Sequence, residues 1–189
     1  MNSATMMNWD ELNLLRSSAV TLLQNYRNSK DKQKVREWCD YMEFVLCLIY
    51  AYGWKDAEEI VGIVPIKDGL DDKAVNLEIN GETYRDRILT QLDEDSLEGI
   101  LRIIDTEAHR DYNTGVYDAG KKSGVPGLKK QWQTMMDGRV RETHSYLQST
   151  IVGMDDKFYT FDGDSARFPG DFSLPENNVN CRCGISLVR

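Results

Sequence analysis

Apolar residues recur every three or four positions from Asn8 onward. Leu12, Leu15, Ala19, Leu22, Leu23 and Tyr26 fall on one face, which predicts an amphipathic helix ended by Asn28-Ser29. A second helix is expected from near Asp31, carrying Val35, Trp38, Cys39, Met42, Val45 and Ile49 until Gly53 stops it. Its middle, residues 44–51, is apolar all round, so it should be wrapped on most sides by protein or by a partner subunit. Residues 54–61 predict a short third helix, and Pro65 with the polar run 67–73 predicts a break. Val75, Leu77 and Ile79 then alternate ahead of Asn80-Gly81, a strong hairpin signal. A helix over 84–92 follows, with Asp93, Asp95 or Ser96 as N-cap of the longest one. Leu97, Ile100, Leu101, Ile104, Ala108, Tyr112, Val116 and Ala119 trace its stripe, and Gly120, Ser123 and Gly124 end it.

Past Pro126-Gly127 the period changes. Residues 128–134, 151–152, 157–161 and 179–188 are strand candidates, separated by turn-rich segments such as Asp162-Gly163-Asp164 and Phe168-Pro169-Gly170-Asp171. In the last strand Val179, Cys181, Cys183, Ile185 and Leu187 should share the apolar side. Val140, His144 and Leu147 suggest a short helix after Asp137-Gly138, and Arg139 and Arg141 frame the face that carries the imidazole. The expected class is α+β, a helical N-terminal half followed by a small mixed β-sheet domain with packed helices. Three regions are expected: a helical one over 1–66, a hairpin and long connecting helix over 67–127, and an α+β domain over 128–189.

Length allows one or two domains with a substantial core. A net charge of −8 argues against general nucleic-acid binding. Locally, Lys121, Lys122, Lys129, Lys130, Arg139 and Arg141 face a single acid, Asp137, which makes either a solvated face or a docking surface for DNA or an acidic partner. No secretory signal is expected at the start, and the longest apolar run is far shorter than the roughly 20 residues of a membrane span. Cysteine usage suggests synthesis in a reducing cytosol, with Cys39 and Cys47 as small core residues.

The candidate chemistry lies near the end of the chain. His144, Cys181 and Cys183 are zinc-type ligands, with Asp171, Asp164, Glu142 or water as a fourth. Against that, zinc knuckles usually use Cys-x-x-Cys, whereas i, i+2 on a strand gives parallel side chains. The other account is two buried thiols and a core histidine with a polar partner. A disulfide between Cys181 and Cys183 would close a small strained loop and is not expected. Catalysis by a Cys/His pair, or by His144 with Arg139 or Arg141 on a phosphate, would need a geometry that residue types alone do not supply. Glu107 and Arg110, three apart, are expected as a surface ion pair worth a few tenths of a kcal/mol.

Four pieces in one order carry a resemblance. Trp132, then Arg139-Val140-Arg141-Glu142-Thr143-His144, then Pro169-Gly170-Asp171, then Asn180-Cys181-Arg182-Cys183 is similar to the C-terminal domain of phage minor head proteins, the head-morphogenesis proteins of the Mu F and SPP1 type. Upstream the likeness extends through Asn80-Gly81 with residues 84–88, Thr106-Glu107-Ala108-His109-Arg110 and Tyr112-Asn113. The resemblance implies a minor head protein of a tailed phage or prophage, made in the bacterial host cytoplasm and carried in the virion. Its implied partners are the portal protein and other head proteins, with phage DNA along residues 121–141 and no membrane. It implies that Glu107, Arg110 and Asn113 bridge a helix to the Arg and His face, and that Trp132, Arg139, Arg141, His144, Asn180, Cys181, Arg182 and Cys183 hold the C-terminal domain in shape, with or without zinc. No added toxin domain is expected after the closing motif. The alternative is a metal- or His-dependent nuclease or effector built on His144, Cys181 and Cys183.

Overall fold

The computed structural model of the chain describes residues 9–66, 78–79 and 81–189. Helices α1 (Asp10–Ser29), α2 (Lys32–Val61), α3 (Tyr84–Asp93) and α4 (Leu97–Ser123) come first. Their ends follow capping chemistry. The Asp31 carboxylate accepts from the Gln33 and Lys34 amides at 3.0 and 3.3 Å, Thr83 and Asp86 form a reciprocal capping box, and Ser96 accepts from the Gly99 amide. Gly124, with φ +67°, closes α4 after the dipole-favouring Lys121 and Lys122. All six apolar positions expected on α1 are buried.

Gly53 does not stop α2. The helix runs through it to Val61 and absorbs the separate helix expected over 54–61. Glycine inside a helix costs only about 1 kcal/mol, and here its missing side chain has a use. A Cβ on Gly53 would sit 2.0 Å from the Tyr112 carbonyl oxygen, and one on Gly115 would sit 2.1 Å from that of Tyr50. The backbones of α2 and α4 therefore touch at a reciprocal pair of glycines. The apolar middle of α2 is covered on most sides, with Val45, Leu46, Ile49 and Tyr50 buried, but Phe44 is 60% exposed. Val75, Leu77 and Asn80 of the expected hairpin lie outside the described residues. Ile79 and Glu82 form an antiparallel bridge around Gly81, with backbone hydrogen bonds of 2.9 and 3.1 Å.

The remaining elements are β1 (Lys129–Gln133), α5 (Glu142–Ser145), β2 (Ile151–Gly153), β3 (Phe158–Tyr159), β4 (Ser165–Ala166), α6 (Pro175–Asn178) and β5 (Gly184–Val188). The class is α+β as expected. Among the described residues the sheet is antiparallel throughout rather than mixed: β1 lies between β2 and β5, pairing Lys130 with Val152 and Leu187, and Trp132 with Ile185. β3 and β4 form a separate hairpin. The closing strand starts at Gly184, later than its alternation suggested, because Asn180 takes a left-handed φ of 56° and turns the chain just before Cys181. Both thiols are nevertheless buried. Trp132 anchors this half, with its ring centroid 5.1 Å from that of Phe158 and 5.7 Å from that of Phe172.

Candidate functional site

The site begins on α4. From Ile104 to Gly120 this helix is buried on nearly every side, because α1, α2 and α3 cover one face and β5 packs on another. Its polar residues are consequently interior. Glu107 and Arg110, expected as a surface pair, are 0% and 3% exposed and bonded to each other. Arg87 of α3 reaches Glu107 at 2.7 Å. Asp111 is buried beside them, and desolvation holds its carboxyl well above the usual range. The Pro169-Gly170-Asp171 turn sits on this group. Gly170 has φ +97°, and a Cβ there would meet Arg110 Cβ at 2.9 Å, so glycine is required twice over.

Asn113, one turn further on, ties the helix to the closing segment. Its carbonyl oxygen accepts the Ile185 backbone N–H at 3.1 Å. Its amide donates to the His109 carbonyl at 2.9 Å and lies 3.5 Å from the Cys183 carbonyl. The bridging expected of Glu107, Arg110 and Asn113 thus divides in space: the first two lie with Arg87 under the Pro-Gly-Asp turn, and Asn113 meets the thiol segment.

His144, Cys181 and Cys183 converge. His144 Nδ1 lies 3.5 Å from Cys181 Sγ and 3.6 Å from Cys183 Sγ, and the three ligand atoms lie within 4.8 Å of one another. The imidazole is 1% exposed, stacked on Phe172 at 5.2 Å and edge-on to Trp132. Its Nε2 is buried and makes no hydrogen bond among the described residues. Each thiol shifts the other. The hydrogen bond from Cys183 holds the Cys181 thiol well below its ordinary range against the opposing effect of burial, with His109 and His144 adding to the lowering. Cys183 is pushed up by that same bond to Cys181 and by burial.

The flanking residues fix this geometry. Arg141 donates to the Val179 carbonyl, and Arg182 clamps Asp137 with two bonds of 2.8 and 2.7 Å. The Arg182 contact, helped by the Arg139 backbone N–H, holds the Asp137 carboxyl down at about 2. A cavity of about 10 Å³ is lined by Arg139, Arg141, His144, Asn180, Cys181 and Cys183, room for little more than one water or ion.

The six cations expected as one surface do not form it. Lys130 is fully buried and donates to the Met154 and Asp156 carbonyls at 2.9 and 2.6 Å, with burial lowering its ammonium to about 8. Lys121 pairs with Asp155, Lys122 lies over the Trp54 ring, and Arg141 is turned to Val179. Lys129 and Arg139 are exposed.

The acids considered as a fourth ligand are engaged elsewhere. Asp171 chelates Arg167 at 2.9 and 2.7 Å, and Glu142 is exposed in the first turn of α5. Asp164 is buried in its own donor shell. Its Oδ1 accepts from the Ser165 amide, the Ser173 amide and the Ser173 hydroxyl, and its Oδ2 accepts from the Leu174 amide and the Asn177 side chain, both at 3.0 Å. Burial raises its carboxyl, but hydrogen bonds from Ser173, Asn177 and the backbone outweigh that and hold it at about 2. Two neighbours of the site were missed in the sequence: His109, whose Nε2 lies 3.2 Å from the Asn113 amide, and Asp137. The signal for His109 was its place four residues before Asn113 on one helix face.

Among the described residues, no helix is long and apolar enough to cross a membrane. The family model described as Phage Mu protein F like protein matches residues 71–186. The NAD(+)–arginine ADP-ribosyltransferase EFV of Enterococcus faecalis is 34% identical over 108 residues, which is 54% of this chain and 22% of that protein. Minor head protein GP7 of Bacillus phage SPP1 is 30% identical over 84 residues, 44% of this chain and 27% of that protein. The chain thus matches only about a quarter of the length of these relatives, and no solved structure matches it. The family match takes in α3, α4, Trp132, the Arg and His segment and the closing thiols, over more than half of the chain, and on that extent the chain belongs to the Phage Mu F-like family of phage head-morphogenesis proteins.

Proposed function

We propose that this protein is a structural and assembly component of a tailed-phage or prophage head, made in the host cytoplasm, that associates with the portal and other head proteins in head morphogenesis and DNA packaging or delivery. The observation that carries this is the family match from α3 into β5, joined by the likeness to the SPP1 minor head protein. In this reading the family domain extends over residues 71–186, from α3 into β5, and the helical region over 1–66 packs against its α4. The exposed aromatic side chains Phe44, Tyr146, Tyr159 and Phe161 are the contacts it offers to other head proteins. DNA contact along residues 121–141 rests on Lys129 and Arg139, since Lys121 pairs with Asp155, Lys122 lies over the Trp54 ring, and Lys130 and Arg141 are engaged within the fold.

The enclosure of His144 supports an assembly role over a nuclease or effector role. A general base must come within hydrogen-bond reach of its substrate, and this imidazole is 1% exposed, with room beside it for little more than one water. The transferase activity named for the Enterococcus protein is not carried over, because this chain matches 22% of it. The test is crosslinking mass spectrometry on heads purified from the phage or prophage that encodes the chain. Crosslinks from this chain to the portal are expected. Heads that lack the chain, or crosslinks only to unrelated proteins, refute the reading.

A further inference from the structure

Two sulfurs converge on one nitrogen beside the small cavity. A neutral imidazole nitrogen offers one lone pair or one N–H, so it satisfies one directional hydrogen bond. Cys181 Sγ and Cys183 Sγ nonetheless approach His144 Nδ1 almost equally, at 3.5 and 3.6 Å. Zinc bound at about 2.3 Å to sulfur and about 2.0 to 2.1 Å to nitrogen, with a tetrahedral angle between them, separates the two ligand atoms by about 3.5 Å. The observed spacing is therefore that of atoms around a shared ion. The objection to i, i+2 thiols falls away, because Cys181 and Cys183 both precede the strand that starts at Gly184 and no pleat holds them parallel.

Helix α4 carries a candidate fourth donor beside the closing segment. His109 is half-buried on α4, and its Nε2 lies 3.2 Å from the Asn113 amide, which itself lies 3.5 Å from the Cys183 carbonyl. The acidic alternatives are turned away, as described above. We propose that Cys181, Cys183, His144 and His109 form a tetrahedral zinc site of two thiolates and two imidazoles. The ion is structural rather than catalytic, since four protein ligands leave no open position for water or substrate. It joins α4 to the segment that leads into β5, next to the link that Asn113 already makes.

The test is metal analysis of the full-length protein purified under reducing conditions, followed by Co²⁺ substitution read in the visible spectrum. One zinc per chain is expected after gel filtration, and Co²⁺ should give intense tetrahedral bands together with sulfur charge-transfer absorption. Because C183S can fail to fold, H109A is the deciding variant, with folding checked by far-UV circular dichroism. H109A should weaken Co²⁺ binding at least about tenfold and change the visible bands, while C47S leaves both unchanged. Wild-type protein without zinc and without Co²⁺ bands overturns the site. A folded H109A protein with unaltered affinity and bands overturns the fourth ligand.

Discussion

Asp164 offers the sharpest check on the energetics of the C-terminal half. In D164N, Oδ1 keeps its acceptor role, but the Oδ2 position becomes an NH₂ group aimed at two donors, the Leu174 amide and the Asn177 side chain. Losing a charged acceptor costs about 1.5 to 3 kcal/mol per hydrogen bond. With partial relaxation of the exposed Ser173–Leu174 loop, a net loss of about 3 kcal/mol is expected. For a chain of this size that corresponds to a melting point lower by roughly 6 to 12 °C. The effect should also depend on pH. The folded carboxyl titrates at about 2, below the unfolded value of about 3.9. Its stabilisation is therefore complete above about pH 5, and it is lost as pH falls through the folded value. Urea unfolding of both proteins at pH 7, 5 and 3 measures this. The gap should hold between pH 7 and 5 and shrink by roughly a third to a half at pH 3. A gap below about 1 kcal/mol at pH 7, or one unchanged from pH 5 to pH 3, refutes the account of Asp164 as a charged anchor.

Three further outcomes follow from the same interior. N113L leaves the Ile185 N–H without its acceptor and should cost about 2 to 3 kcal/mol, with amide exchange at Ile185 accelerated more than at Trp132 on the neighbouring strand; equal protection at both sites contradicts the link. G53A and G115A each drive a Cβ into a backbone carbonyl, and a loss of about 3 kcal/mol or more is expected in thermal or urea unfolding. Near-neutral values would mean that the two helices separate easily. Lys130 titrates at about 8 in the fold and about 10.4 in the unfolded chain, so between those values the unfolded chain holds more protons and stability rises with pH. Wild type should therefore gain on K130M from pH 7.5 to pH 10 in denaturant titrations, and a constant difference would show that the ammonium is not held in a desolvated place.

The helical half was legible because its stripes are long and periodic, and every expected apolar position on α1 is buried. Where legibility failed, two structures share one local pattern. A glycine after an apolar run has the same neighbours in sequence whether it ends a helix or admits another backbone, so Gly53 was read as a stop. Glu107 and Arg110 sit three apart whether water or protein covers them, and the covering elements, Arg87 and the turn at Gly170, are distant in sequence. Alternation from Val179 to Leu187 placed the thiols inside correctly but hid the turn at Asn180, since asparagine is tolerated both in extended and in left-handed backbone. The triad of His144, Cys181 and Cys183 was visible from residue type alone. His109 was not, because its place beside the closing segment depends on how α4 meets that segment.

The paired glycines of α2 and α4 also have a mechanical meaning. Each helix carries a notch that receives the other's main chain, Gly53 taking Tyr112 and Gly115 taking Tyr50. Sliding one helix along the other by a turn, about 5.4 Å, would bring Ile49 or Ala57 to the place that only Gly53 fits, so the two rods are keyed against shear. A push delivered at the exposed Phe44, near the middle of α2, would then pass to α4 as movement of a single lever, and through Asn113 to the final strand.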